Sequence, residues 1–91
     1  MTKREELYKK MQSDPRFNSS FGERELIFTR YGANGKGSKM ECFFEERKGE
    51  LYALKRSMIY DPALSTYKMT NETRYLKMCT IDEAIHFLKY A

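Results

Sequence analysis

The sequence predicts a small α+β domain over residues 1–91, in which a four- to five-stranded antiparallel β-meander lies between an N-terminal and a C-terminal α-helix. Each helix is predicted from a Thr that is followed three residues later by Glu, which is the pattern of a helix-capping box. The sheet is predicted because the chain between the helices alternates apolar and polar residues around turn-forming pairs. A length of 91 residues leaves room for one modest core, so we expect a single domain.

The first helix is predicted to begin at Thr2 and to end at about Gln12. Leu7 and Met11 lie one turn apart on it, so only a narrow apolar stripe is available for burial. The segment 17–22 is rich in turn-forming residues, and we expect a loop whose two Phe side chains hold it to the body of the domain.

Two segments with alternating apolar residues, 25–31 and 39–47, are predicted strands that the glycine-rich segment 32–38 connects. A third strand follows a turn at Lys48–Gly49. It ends at Asp61–Pro62, because proline has no N–H to donate to a strand partner.

A two-residue turn at Lys48–Gly49 would fix the register of the second and third strands. The predicted cross-strand partners are Arg47 with Glu50, Glu45 with Tyr52, Phe44 with Ala53, Phe43 with Leu54 and, as an ion pair, Glu41 with Arg56. One face of this hairpin then carries Met40, Cys42, Phe44, Leu51, Ala53 and Ile59. The other face carries Phe43, Tyr52, Leu54, Met58 and Tyr60.

The remaining elements follow the proline break. Residues 65–69 and 73–79 are predicted to form a further hairpin around Asn71, since Asn favours turns. The second helix begins at Thr80 and continues to the end of the chain, with two acidic residues in its positively polarised first turn. Its predicted core stripe is Ile81, Ala84, Ile85 and Leu88.

Composition excludes several classes of protein. No apolar stretch is long enough to span a membrane and no N-terminal signal core is present, so we expect a cytoplasmic protein. Cys42 and Cys79 have no ligands at metal-binding spacing, and we expect two buried thiols, no metal and no cofactor. His86 is the only histidine and has no nucleophile at a fixed spacing. We therefore expect a protein without catalytic residues that is not an enzyme.

The glycine-rich segment 32–38 has two interpretations. Its glycines and the cations Lys36 and Lys39 fit a contact with phosphate, although the spacing does not match a nucleotide-binding loop. The simpler interpretation is a flexible connection between strands.

The first functional hypothesis is a small nucleic-acid-binding regulator of RNA or single strands. The net charge of +4 is a moderate basic excess, and Tyr rings interleaved with cations can stack on bases and contact phosphates. The alternative is the ordinary preference of Tyr for strands. The candidate residues are Arg30, Lys36, Lys39, Arg47, Lys48, Tyr52, Arg56, Lys68, Tyr75 and Lys77.

The second hypothesis is a protein inhibitor or adaptor of the kind that phages and mobile elements encode, which binds and blocks a host enzyme such as a nuclease or an RNA-handling enzyme. Both faces of the central hairpin bear large apolar side chains, and two short helices cannot cover both. The open face would then bind protein through Phe43, Leu54, Met58 and Tyr60. Two alternatives are that the first helix covers this face or that a homo-oligomer does.

Overall fold

The computed structural model describes residues 2–32 and 37–90. Five antiparallel strands form one sheet in which the spatial order of the strands is their order in the chain. The elements are α1 (Lys3–Met11), β1 (Asn18–Phe21), β2 (Glu25–Tyr31), β3 (Ser38–Arg47), β4 (Glu50–Asp61), β5 (Thr66–Met78) and α2 (Ile81–Tyr90). The predicted α+β meander between two helices is confirmed. Neither helix of the described ranges has the length and apolar character needed to cross a membrane.

Both helices begin where the capping boxes predict. The Glu5 backbone N–H donates to the Thr2 hydroxyl at 3.1 Å, and the Glu83 backbone N–H donates to the Thr80 hydroxyl at 3.0 Å. The Glu83 carboxylate reaches back to accept from the Cys79 backbone N–H at 3.0 Å. These bonds satisfy backbone donors that have no partner within the helix.

The register of β3 and β4 is the predicted one, from Arg47 opposite Glu50 to Glu41 opposite Arg56. Lys48 and Gly49 both have positive φ, 51° and 79°, as a tight two-residue hairpin turn requires. The two predicted faces of the hairpin are therefore correct in their alternation. Ile59 lies on the core side of β4 but is 54% exposed, because the core does not extend to that end of the strand.

Both helices pack on the same face of the sheet, where one core forms. Leu7 and Met11 of α1 and Ala84, Phe87 and Leu88 of α2 are all buried in it. Ile81 and Ile85 are only partly buried. The buried apolar stripe of α2 is therefore rotated toward Phe87, which the predicted stripe did not include. The sheet contributes Leu26, Phe28, Met40, Cys42, Phe44, Leu51, Ala53 and Met78.

Two predicted elements are wrong. The expected loop at 17–22 contains β1, whose backbone pairs with β2 although its own residues show no alternation of buried and exposed positions. The expected hairpin around Asn71 is instead the continuous strand β5, which pairs with β4 along its length. Register shifts lie on both sides of Asn71, so the strand accommodates this turn-forming residue without reversing.

Candidate functional site

The sheet face opposite the helices has no helix packed on it within the described ranges. The alternative in which α1 covers this face is therefore wrong, since Leu7 and Met11 are buried on the other side. We call it the uncovered face. Its side chains, placed by strand alternation and register, include Ile27, Tyr31, Lys39, Glu41, Phe43, Glu45, Arg47, Tyr52, Leu54, Arg56, Met58, Tyr60, Tyr67, Met69, Glu72, Tyr75 and Lys77.

The centre of the uncovered face is an apolar row. Ile27, Phe43 and Leu54 are direct partners across β2, β3 and β4. Leu54 is only 6% exposed, because neighbouring side chains on the same face shield it. The Arg56 guanidinium covers the Phe43 ring at 5.3 Å from its centroid, a cation–π contact. Leu54 and Phe43 therefore support this face more than they offer surface to a partner.

One end of the uncovered face is rich in exposed aromatic and Met side chains, and we call it the tyrosine end. It consists of Tyr31, Lys39, Met58, Tyr60, Tyr67 and Met69. The rings of Tyr60 and Tyr67 are 5.4 Å apart, and the Lys39 Nζ is 4.2 Å from the Tyr67 ring centroid. Tyr60 and Met69 remain 40% and 53% exposed. Partial desolvation and the neighbouring phenols of Tyr31 and Tyr60 raise the pKa of Tyr67.

The cations of the uncovered face lie beside carboxylates of the same face. The ion pairs are Lys39–Glu41 at 3.9 Å, Arg47–Glu45 at 3.0 Å, Arg56–Glu72 at 2.6 Å and Lys77–Glu50 at 3.7 Å. The bond between Arg47 and Glu45 lowers the pKa of the Glu45 carboxyl and raises the pKa of the Arg47 guanidinium. The basic excess of the chain must therefore lie largely outside this face.

The predicted ion pair between Glu41 and Arg56 is wrong, although the two residues are opposite each other. Arg56 donates instead to Glu72, its partner on the other neighbouring strand. The prediction missed this pairing because it placed a hairpin around Asn71, which gave Glu72 no fixed position on the sheet. Tyr67, Met69 and Glu72 of β5 are accordingly residues of this face that sequence reasoning did not select.

The two tyrosines proposed to stack on bases share one cation. The Arg47 guanidinium lies 5.3 Å from the Tyr52 ring centroid and 5.2 Å from that of Tyr75. A base that stacked on the same ring faces would have to displace a guanidinium that is also bonded to Glu45. This arrangement is less suited to base stacking than exposed rings between unpaired cations.

The predicted nucleic-acid residues do not form one surface. Arg30 and Lys68 lie on the helix-covered side of the sheet, as their partners Met40 and Ile59 do. Lys48 is exposed in the hairpin turn, and Lys36 lies outside the described residues. The structure therefore brings together the predicted protein-interface residues and divides the predicted nucleic-acid residues.

Other candidate groups have ordinary structural surroundings. Cys42 is fully buried, and desolvation raises the pKa of its thiol to about 12. Cys79, expected to be buried, is exposed because it lies between β5 and α2. His86 is exposed on α2, with its ring 5.1 Å from that of Tyr90. No three His, Cys, Asp or Glu side chains in the described part of the chain form a group that could hold a metal ion.

Comparison of this chain with protein-family models, with curated proteins and with solved structures finds no match.

Proposed function

We propose that this chain is a small non-enzymatic protein-binding module, an inhibitor or adaptor that docks a partner protein on its uncovered sheet face. The observation that carries the proposal is the tyrosine end, where exposed Tyr and Met side chains surround a half-buried Lys39. Tyr, Met and Arg are the residues enriched at protein interfaces. Apolar residues exposed together in this way are typical of a docking surface.

The paired charges favour a protein over a nucleic acid as the partner. Affinity for nucleic acid depends on cations that exchange counterions for phosphates. On the uncovered face, phosphate would have to compete with Glu41, Glu45 and Glu72 for the same cations. A protein surface with an apolar centre and charges of both signs at its rim would leave these ion pairs intact.

We propose that the protein binds its partner in a reducing compartment such as the cytoplasm. Cys42 and Cys79 are both free thiols, which agrees with such a compartment.

The test is to remove the apolar exposure of the tyrosine end and to measure capture of the partner. Tagged protein would be used to capture proteins from a nuclease-treated lysate of the organism that encodes it, and the affinity of the captured protein would then be measured. The test variant is Tyr60→Ser with Met69→Ser. The matched control is Ile59→Ser with Leu64→Ser, because these side chains are 54% and 64% exposed but lie outside the tyrosine end.

We expect the test variant to weaken binding by about 30-fold or more, since an interface anchor contributes about 2 kcal/mol or more. The control should bind nearly as well as the unchanged protein. Equal binding by the test variant and the control would refute the proposal. Capture of nucleic acid that high salt releases, with no protein bound, would replace it with the nucleic-acid hypothesis.

A further inference from the structure

A second feature lies at the edge of the sheet, where the chain enters β1 and leaves β2. An open surface cleft of about 570 Å³ lies there. It is lined by Pro15, Arg16, Asn18, Arg30, Tyr31 and Gly32. Only Tyr31 also belongs to the uncovered face, so the arginines of the cleft can be changed without altering the proposed docking surface.

The two arginines of the cleft are positioned by one buried ring. The guanidinium carbons of Arg16 and Arg30 each lie 5.6 Å from the centroid of Phe17. The Phe17 ring is only 6% exposed and packs edge to face against Phe28 in the core. Phe17 therefore anchors both guanidinium groups to the core. Because each guanidinium carbon lies 5.6 Å from the same centroid, the two carbons are no farther apart than twice 5.6 Å.

Among the described residues, Asp14 is the one carboxylate in an ion pair with an arginine of this cleft. Asp14 is bonded to Arg16 at 2.9 and 3.1 Å, and this contact lowers the pKa of the Asp14 carboxyl to about 2. None of the ion pairs within the described residues includes Arg30. Burial lowers the pKa of the Lys55 ammonium, and repulsion by the charge of Arg30 lowers it further. An anion bound beside Arg30 would relieve this repulsion.

We infer that this cleft binds a phosphate group, with Arg30 as its principal ligand and Arg16 as the second. Guanidinium groups donate two parallel hydrogen bonds to phosphate oxygens, and a ring that fixes the guanidinium reduces the entropy lost on binding. The Tyr31 ring lines the same cleft and offers a surface to a group attached to the phosphate. The phosphate can belong to a free ion, a mononucleotide or a nucleic-acid backbone, since the two arginines recognise the chemistry that these sources share.

Isothermal titration calorimetry with inorganic phosphate, adenosine monophosphate and a short single-stranded oligonucleotide tests the inference. The test variant is Arg30→Gln, and the matched control is Arg24→Gln, which removes the same charge from an exposed residue that lines a different cleft. We expect Arg30→Gln to weaken binding at least tenfold, and Arg24→Gln to weaken it less than twofold. Arg30→Lys should give an intermediate affinity, because it keeps the charge but loses the paired donors.

A gain of affinity gives an independent readout. Asp14→Asn releases Arg16 from its carboxylate partner and should therefore tighten binding, whereas Glu23→Gln makes the same change of charge elsewhere and should not. Tighter binding of the mononucleotide than of inorganic phosphate would identify a nucleotide site, and binding of the oligonucleotide alone would identify a backbone contact. No binding of any of the three probes, or equal losses in Arg30→Gln and Arg24→Gln, would overturn the inference.

Discussion

Replacement of Lys55 by Met tests the packing between the sheet and α2. Lys55 is 7% exposed on β4, and its ammonium donates to the Phe87 carbonyl at 2.9 Å. This carbonyl lies in the last turn of α2, where carbonyls have no partner within the helix. Met keeps an apolar side chain of similar reach but removes the donor. The variant therefore removes the buried ammonium together with its hydrogen bond and its contact with the Phe87 ring, whose centroid lies 5.3 Å from the Nζ.

The expected cost follows from two opposing effects. A hydrogen bond to a charged group contributes about 1.5–3 kcal/mol, and burial of the ammonium offsets part of this, as the lowered pKa of Lys55 indicates. We expect Lys55→Met to lower the free energy of unfolding by about 1–2 kcal/mol. Lys55→Ala also loses the packing of three methylene groups, at about 0.8 kcal/mol each. It should therefore cost about 3.4–4.4 kcal/mol in all.

The measurement is urea denaturation of the unchanged protein, Lys55→Met and the control Lys68→Met, which changes an exposed Lys of β5 and should cost less than about 0.5 kcal/mol.

The pH dependence of this stability difference has a defined sign. Burial lowers the pKa of Lys55 in the folded protein below its value of about 10.4 in the unfolded chain. At a pH between these two pKa values the unfolded chain therefore binds more protons than the folded protein. The unchanged protein should therefore gain stability relative to Lys55→Met as the pH rises from about 8 to about 10.

Two results would contradict this reasoning. If Lys55→Met were as stable as the unchanged protein near neutral pH, the Phe87 carbonyl would not depend on the Lys55 donor. If the difference between the two proteins narrowed as the pH rose, burial would not be the dominant influence on the ammonium.

Three further predictions concern the thiols, the acid range and a helix cap. The native protein should react with Ellman's reagent at Cys79 only, because the buried Cys42 has its pKa raised to about 12, and a second reactive thiol before unfolding would contradict this packing. The carboxylate of Asp14, with its pKa held at about 2 by Arg16, contributes stability above about pH 4 that is lost as the pH falls toward 2. Asp14→Asn should therefore lose less stability than the unchanged protein over that range in urea denaturation, and equal losses would refute the role of the pair. Thr80→Ala should lower the free energy of unfolding by about 1 kcal/mol through loss of the α2 cap, whereas Thr80→Ser should restore most of it.

Local signals in the sequence were sufficient for much of the architecture. The helix starts are set by the Thr2 and Thr80 hydroxyls, each of which accepts from the backbone N–H three residues later. The β3–β4 register is set by the turn at Lys48–Gly49. Strand β1 gave no such signal, because its four residues are all exposed and only the pairing of its backbone with β2 makes it a strand.

The candidate sites were less predictable, because they depend on which segments meet in space. The position of Glu72 beside Arg56 follows from the course of β5 past Asn71, which residue preferences alone do not reveal. Phe17 holds its segment to the core, as predicted, but the contact of both Arg16 and Arg30 with its ring depends on which segments pack beside it. Alternation on β3 and β4 predicted the two faces of the hairpin, but which face stays uncovered depends on where the helices pack and does not follow from the sequence.

Strand β5 also affects the self-association of this protein. It is the last strand of the sheet, and within the described residues no strand pairs with its outer edge. Such an edge is a template on which another chain can add a strand and begin an aggregate. Its two register shifts interrupt the regular spacing of backbone donors and acceptors, and Lys68, Arg74 and Lys77 place like charges along it. The irregular pairing around Asn71 thus opposes fibril growth from this edge.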